Sequence, residues 1–411
     1  MRNSLIFFFF LLFASPSFAT MDTPIMFGAP DTLPTGTTTE YSRSVNGGVL
    51  WAATERYSVI PVDATLKELR IKLSSALSSG SYTFTLRKNA LDTDLTCQIT
   101  VQECSDLINT AVFAPGDLIS MKVVSANPDT AKSAYFTMMA TTEDNKSFFT
   151  FTTPSTAAAI YLSMSGDANI DSTEQDTQIP VPTNGTLKNL YVKVSAAPSE
   201  GKSYTYTIRK ALANTSLTCT IANTDTSCSD LSNSVSLSPG DLINISITTS
   251  GTPSGVYHYF GIEFDPTING ESVQLFSDDD DPADSEFNNL NCNYNVSAWT
   301  ATEATVQELA SEATYKKLYV KLDTAPSAGD SRTFTLSVNG VPSILTCTIS
   351  ETDTTCNDTS NEVSVSDGDL LATKHTLTGT PAANNGLGIS YVTYISAGAA
   401  EATRNRVMII N

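Results

Sequence analysis

The sequence is poor in the residues that most enzyme mechanisms use. It has only two histidines, His258 and His375, and neither has an evident nucleophile partner along the chain. The motifs G-x-S-x-G, H-E-x-x-H and G-x-x-x-x-G-K-[ST] do not occur in it. A structural role at a strand edge or in partial burial is expected for both histidines. These absences favour a non-enzymatic protein, although two carboxylates could still converge in space as they do in a secreted glycoside hydrolase.

Positive charge is also scarce. The chain has 23 Lys and Arg against 43 Asp and Glu, which gives a formal net charge of −20 and a pI near 4.4. Such an acidic surface repels nucleic acids and anionic membranes, so we expect neither as a partner. Charged residues make up only 16% of the chain, and about a quarter is Ser or Thr, a composition typical of strands with one solvated face.

Long apolar runs are missing after the first residues. The run from Leu5 to Ala14 follows Arg2 and precedes Ser17-Phe18-Ala19, a small-x-small cleavage site. This pattern predicts a signal peptide at residues 1–19, cut after Ala19, with no lipid-accepting cysteine behind it. No later run reaches the ~18 apolar residues that a membrane-spanning helix needs. We therefore expect a protein that is secreted or displayed at the cell surface, without a transmembrane span.

What the sequence does contain is a repeat of about 125 residues. One phrase reads LRIKL from Leu69, LYVKV from Leu190 and LYVKL from Leu318, and each copy alternates apolar and polar residues. This alternation, with turn residues at short intervals, predicts an all-β chain of three tandem antiparallel β-sandwich domains resembling jelly rolls. The domains are placed at residues 20–143, 144–266 and 267–398, followed by a C-terminal tail at 399–411. The joins are short, so we expect contacts between the domains.

A motif with two cysteines occurs once in each repeat. The predicted disulfides are Cys97–Cys104, Cys219–Cys228 and Cys347–Cys356. Their odd spacings place both cysteines opposite each other in a hairpin, so each disulfide is predicted to staple one hairpin. A zinc site is disfavoured because it needs four N or S ligands. Cys292 is left over, either as a buried free thiol or as the source of an intermolecular disulfide.

A Gly-Asp pair also recurs once in each repeat. The copies are Gly116-Asp117, Gly240-Asp241 and Gly368-Asp369. Gly supplies the unusual backbone angles of a turn, and the Asp carboxylate accepts hydrogen bonds from nearby amides. The recurrence indicates a structural turn, because a catalytic Asp would more naturally occur once.

Residues near these turns carry a family resemblance. Gly80, Tyr82 and Phe84 form G-x-Y-x-F, the Gly-Asp pair follows, and an aromatic strand, Tyr259–Ile262, closes the second repeat. This order resembles the C1q/TNF-like jelly roll, with departures such as Arg332 where Tyr stands in the first repeat. The resemblance implies trimers about a threefold axis. Three such domains in one chain would then form an internal pseudo-trimer, against the alternatives of a homo-oligomer or a row of domains along a stalk.

Two acidic segments suggest calcium, whose preferred ligands are hard oxygens. The denser one has six carboxylates: Asp278, Asp279, Asp280, Asp281, Asp284 and Glu286. The second, Asp167 to Asp171, offers oxygens at alternate positions but lacks the Gly and Glu of a calcium loop. A solvated loop is the alternative for both.

Trp51 and Trp299 occupy equivalent places in the first and third repeats. This equivalence favours core packing over the alternative, stacking on a sugar ring. Taken together, the repeats, the disulfides and the lack of catalytic motifs predict an exported structural or adhesive protein. A secreted carbohydrate-binding protein is the alternative, and the partner is an unknown protein or glycan.

Overall fold

The structure is a computed structural model. It describes residues 20–29, 32–42, 51–143, 146–153, 159–165, 170–278, 280–288, 290, 299–384 and 386–395, without the side chains of 26–29. Several predictions fall outside these residues. They concern the signal peptide at 1–19, Cys292, Asp279, the Asp167 end of the second acidic segment, and the tail at 399–411.

Most of the described residues lie in β-strands, and turns and loops make up nearly all of the rest. Unit 1 contains β1 (Thr20–Ala29), β2 (Thr39–Ser42), β3 (Ser58–Val59), β4 (Ala64–Leu73), β5 (Ser81–Lys88), β6 (Leu91–Ile99), β7 (Glu103–Phe113), β8 (Leu118–Ala126) and β9 (Ala134–Glu143). Unit 2 contains β10 (Ser147–Thr152), β11 (Ile160–Leu162), β12 (Ile170–Asp171), β13 (Ile179–Pro180), β14 (Gly185–Val194), β15 (Ser199–Lys210), β16 (Ala213–Asn223), β17 (Ser227–Leu237), β18 (Leu242–Ser250) and β19 (His258–Pro266). Unit 3 contains β20 (Glu271–Asp278), β21 (Glu286–Asn288), β22 (Glu308–Leu309), β23 (Ala313–Leu322), β24 (Ser327–Val338), β25 (Val341–Glu351), β26 (Thr355–Val365), β27 (Leu370–Thr378) and β28 (Leu387–Tyr394). Short 3₁₀ helices, Glu174–Thr177 and Glu303–Thr305, are the only helical turns in the described residues, and none there is long and apolar enough to cross a bilayer.

Each unit is a sandwich of two antiparallel sheets. In unit 1 the strand orders are β1-β9-β4-β7 and β2-β8-β5-β6. The same orders recur as β20-β28-β23-β26 with β21-β27-β24-β25 in unit 3. They recur in unit 2 as β10-β19-β14-β17 with β12-β11-β18-β15-β16, where β12 is an additional edge strand. The short strands β3, β13 and β22 add to β8, β18 and β27. From β6 to β9 the chain passes from one sheet to the other at every connection, whereas β5 and β6 are neighbours in one sheet, and the other units repeat this order. This antiparallel two-sheet arrangement confirms the predicted jelly-roll-like sandwich class.

The predicted alternation accounts for the cores. In β14, Leu190, Val192 and Val194 are buried while Tyr191 and Lys193 are only partly covered. Equivalent strands β4 and β23 repeat this pattern, and one apolar cluster fills the space between the sheets of each unit. The Gly-Asp turns also behave as predicted, because Asp117, Asp241 and Asp369 each accept a backbone N–H three residues back.

The three predicted cysteine pairs are bonded, but they do not staple hairpins. Cys97 lies on β6, whose ladder partner is β5, and Cys104 lies on β7, whose ladder partner is β4. The disulfide therefore joins the edges of two different sheets. Cys219–Cys228 and Cys347–Cys356 do the same in units 2 and 3. The odd separations of seven and nine residues fit this arrangement equally well. Because side chains alternate along a strand, lengthening the connection by two residues leaves both cysteines facing the space between the sheets.

Contacts between the units close a ring. Strand β3 of unit 1 packs on β10 and β19 of unit 2, and β13 of unit 2 packs on β23 and β28 of unit 3. Strand β22 of unit 3 packs on β1 and β9 of unit 1. Buried hydroxyl pairs accompany the first and last contacts, Ser58 with Thr152 at 3.3 Å and Thr137 with Ser311 at 2.9 Å. The equivalent strands β3, β13 and β22 thus make the three junctions. Each packs on the corresponding sheet of the next unit, the one that contains β9, β19 or β28.

Candidate functional site

An aspartate beside each disulfide completes the link between the sheets. Asp106 on β7 accepts the N–H of Thr96 on β6 at 3.0 Å, together with the N–H groups of Ile108 and Asn109. Burial alone would raise the pKa of this carboxyl, but hydrogen bonds from Asn109 and these amides outweigh it and lower the pKa. Asp230 and Asp358 repeat the contacts in the other units. The C-x-D spacing present in all three repeats is the sequence signal for this role, which the cysteine spacing alone does not indicate.

The two tryptophans lie inside the cores. Trp51 is 7% exposed and packs edge-on to Phe136, with ring centroids 6.0 Å apart. Trp299 is 6% exposed and packs against Phe334 and His375. The packing interpretation fits this burial, and the alternative of stacking on an external sugar ring does not.

The acidic segment at Asp278–Glu286 supplies the counterion of a buried arginine. Arg332 is 1% exposed and occupies the position of Tyr82 in unit 1. Its guanidinium donates to the Asp281 carboxylate at 2.5 Å and to the carbonyls of Pro282 and Ala382. The arginine that replaces a tyrosine in the third repeat therefore forms an ion pair with the acidic run about fifty residues earlier.

Three other described carboxylates of this segment make separate hydrogen bonds. Asp278 accepts the Asn288 amide at 2.5 Å, Asp284 accepts the N–H of Leu377, and Glu286 accepts the N–H of Ala283. Across the described residues, no three His, Cys, Asp or Glu side chains gather closely enough to hold a metal ion. Asp279 lies outside those residues, so calcium binding stays a prediction.

His375 is held neutral beside this segment. Its Nδ1 donates to the Ala283 carbonyl at 3.0 Å, while its Nε2 is buried with no hydrogen-bond partner among the described atoms. Burial lowers the pKa of His375 to about 4, and the nearby Arg332 guanidinium acts in the same direction. Protonation would create a buried imidazolium that lacks an acceptor at Nε2.

This burial predicts acid sensitivity in unit 3. The folded-state pKa lies below the unfolded value of ~6.5, so stability present at pH 7 is lost as the pH falls toward 4. At pH 5 the expected loss is about 2 kcal/mol in the free energy of unfolding. The control is His375→Val, because units 1 and 2 carry Val123 and Ile247 at this register. Urea unfolding of unit 3 at pH 7.5 and 5.0 tests this prediction. An equal pH dependence in the wild type and in His375→Val would show that His375 is not the cause of the acid sensitivity.

A cavity of about 630 Å³ lies at the junction of units 1 and 2. We call it the junction cavity. Its lining residues are Thr54, Glu55, Arg56, Tyr57, Leu118, Lys193, Val194, Ser195, Thr226, Ser227, Tyr257 and Tyr259. The first five belong to unit 1 and the others to unit 2, so the cavity exists only when the two units are in contact. Its volume is in the range of small-molecule sites.

Contacts around the segment before β3 shape one wall. The Glu55 carboxylate accepts Arg87 Nε at 2.7 Å and the hydroxyls of Ser120 and Tyr57. Burial, with Glu55 adding to it, raises the pKa of Tyr57 to about 12, so this phenol stays neutral. The Tyr57 ring meets the Tyr259 ring edge-on across the junction, at 5.8 Å between centroids.

Two cations of the cavity, Arg56 and Lys193, form no ion pair with any described carboxylate. The Arg56 guanidinium lies 4.4 Å from the centroid of the Tyr257 ring, and its buried Nε has no acceptor in the described structure. Lys193 likewise has no hydrogen bond or ion pair among the described residues. Burial lowers the pKa of Lys193, with Asp117 opposing the effect. Most other cations of units 1 and 2 are paired with carboxylates, as Arg87 and Lys188 are.

Comparison with known proteins identifies no family for this chain. No protein-family model matches the chain, and no curated protein is significantly similar to it. Among solved structures, an archaeal virus chain described as "The Triple Jelly Roll Fold and Turret Assembly in an Archaeal Virus" is 12% identical. The match covers 90% of this chain and 89% of that one, with a TM-score of 0.18, which is too low to carry an argument. The jelly-roll assignment rests on strand order, and the resemblance to the C1q/TNF-like family is not confirmed.

Proposed function

We propose that the protein is an exported, non-enzymatic structural building block in which three fused jelly rolls form an internal pseudo-trimer. The observation that carries this proposal is the closed ring of equivalent contacts, β3 on unit 2, β13 on unit 3 and β22 on unit 1. A single chain with this arrangement supplies what three separate subunits supply in a cyclic trimer. Three inter-sheet disulfides suit an oxidising compartment such as the outside of a cell.

Close backbone packing at the junctions supports a fixed ring rather than a loose row. A Cβ built on Gly261 of β19 would lie 2.4 Å from the Val59 carbonyl oxygen of unit 1. At the second junction, a Cβ on Gly388 would lie 2.5 Å from the Gln178 carbonyl oxygen. Both positions therefore need glycine to admit the neighbouring strand.

The proposal predicts a compact secreted particle. Expressed with residues 1–19 in a secreting host, the protein should begin at Thr20 by N-terminal sequencing. Small-angle scattering should give a radius of gyration of about 21 Å, as expected for a compact body of this length. Gly261→Val should open the first junction and raise that radius, because the added side chain meets the Val59 backbone.

The matched control is Ser234→Val, which adds the same side chain on the exposed face of the edge strand β17. It should leave the radius unchanged. An extended wild-type particle, or a variant and control that behave alike, would count against the ring. A retained leader would count against export.

A further inference from the structure

The junction cavity places unneutralised positive charge in an acidic protein. Arg56 and Lys193 both line it, whereas the one acidic lining residue, Glu55, is already engaged by Arg87. A cation that is partly removed from water and left unpaired costs free energy. An anion in the cavity would offset that cost, so the charge indicates an anionic ligand.

The remaining lining indicates the rest of the ligand. Tyr57, Tyr257 and Tyr259 contribute aromatic side chains to the lining, which suits a molecule with both an apolar face and hydroxyls. The hydroxyls of Thr54, Thr226 and others add donors and acceptors. A pyranose ring has these two properties, and a carboxylate on the ring would meet the cations.

At the second junction, between units 2 and 3, other residues stand in the places of these cations and tyrosines. Lys321 is the repeat equivalent of Lys193, and it donates to the Gln175 carbonyl oxygen of unit 2. Gln175 stands at the place of Arg56, because Glu174 and Glu55 make the same pairing with Arg209 and Arg87.

Glycine also replaces the tyrosines at that junction. Gly386 and Gly388 take the register positions of Tyr257 and Tyr259 beside the central strand. A Cβ on Gly386 would lie only 2.5 Å from the Asp176 Cα, so backbone fills the space directly. The ring contact therefore does not itself require the arginine or the tyrosines of the first junction.

We propose that the junction cavity binds a small sugar acid, with Arg56 and Lys193 receiving its carboxylate and the tyrosines covering its ring. The ligand class is a uronic acid, free or at the end of a glycan. This inference goes beyond the structural role, because a building block needs no ligand and the ring stands without one.

The experiment compares two probes that differ only in the carboxylate. Binding of methyl β-D-glucuronide and of methyl β-D-glucoside to the full-length protein is measured by ligand-observed NMR and calorimetry. The glucuronide should bind at least about tenfold more tightly, as a charge-assisted hydrogen bond allows. Inorganic phosphate should compete only weakly, because it offers nothing to the tyrosines.

Matched variants locate the site. Arg56→Gln introduces the residue that unit 2 carries at this place, and it should weaken glucuronide binding about tenfold to a hundredfold. Lys193→Gln provides a second test if the first variant folds poorly. Lys321→Gln changes the equivalent lysine of the second junction and should leave glucuronide binding unchanged.

Three results would overturn the proposal. One is no binding of the glucuronide to folded protein. The second is equal binding of glucuronide and glucoside, or phosphate binding as tight as the glucuronide. The third is unchanged glucuronide binding in both Arg56→Gln and Lys193→Gln. Each is independent of the scattering test of the ring, so failure of one proposal can be told from failure of the other.

Discussion

Replacing Asp281 with alanine lowers the free energy of unfolding of unit 3 by about 3 kcal/mol. Arg332 is then left buried without its counterion, which typically costs 3–5 kcal/mol. The low end applies because solvent reaches the Asp281 carboxylate, which is 39% exposed. The Asn384 N–H also loses its acceptor. Urea unfolding followed by Trp299 fluorescence, in a Trp51→Phe background, reports on unit 3 alone.

The repeats themselves supply the rescue variant. Arg332→Tyr restores the residue found at Tyr82 and Tyr204, whose hydroxyls bond to backbone carbonyls in their own units. The double variant Asp281→Ala, Arg332→Tyr should recover most of the loss. Asp284→Ala is the control, and its exposed hydrogen bond should be worth less than about 1 kcal/mol. A loss as large in the control, or no recovery in the double variant, would show that the ion pair is not the cause.

Removing one inter-sheet disulfide has the second large effect. The double variant Cys347→Ala, Cys356→Ala should lower the free energy of unfolding of unit 3 by about 2.5 kcal/mol, the chain-entropy value for a ring of this size. The same Trp299 fluorescence reports it. Because β25 and β26 belong to different sheets, the loss should appear as easier separation of the sheets at that edge, seen as faster amide exchange in both strands.

Unit 1 supplies the control for this measurement. Cys97→Ala with Cys104→Ala should leave the Trp299 transition almost unchanged. The same pair should destabilise unit 1, which is followed by Trp51 fluorescence in a Trp299→Phe background. Equal shifts of both transitions would mean that the three units unfold as one. Unchanged stability in either pair would mean that the Asp358 and Asp106 hydrogen bonds hold the edges closed by themselves.

Period-two alternation and repetition were enough to predict the jelly-roll class and the cysteine pairs. Both can be seen in the sequence alone, and the buried faces of β4, β14 and β23 follow the alternation on either side of a β-bulge that each strand carries near its middle. Cysteine spacing could not distinguish a hairpin from an inter-sheet link. Both arrangements need the same parity, and only the pairing of β5 with β6 and of β4 with β7 decides between them.

Contacts between distant segments could not be predicted from the sequence. Arg332 and Asp281 were each noticed, one as a departure from the repeat and the other as a calcium candidate, but their pairing depends on the folded positions of β24 and the loop after β20. The junction cavity is similar. Its signal was the residue after the repeated glutamate, Arg56 in one copy, Gln175 in the next and Ala304 in the third. Its meaning needed knowledge that this segment faces another unit.

Fusing the ring into one polypeptide changes what mutation can do to it. In a homotrimer every substitution is copied into all three interfaces, so no interface can specialise without altering the others. Here the lysine that meets tyrosines and an arginine at one junction meets a carbonyl oxygen at the next. The first and second junctions of this chain therefore differ, and a ligand held by Arg56 would bind at one copy per protein instead of three.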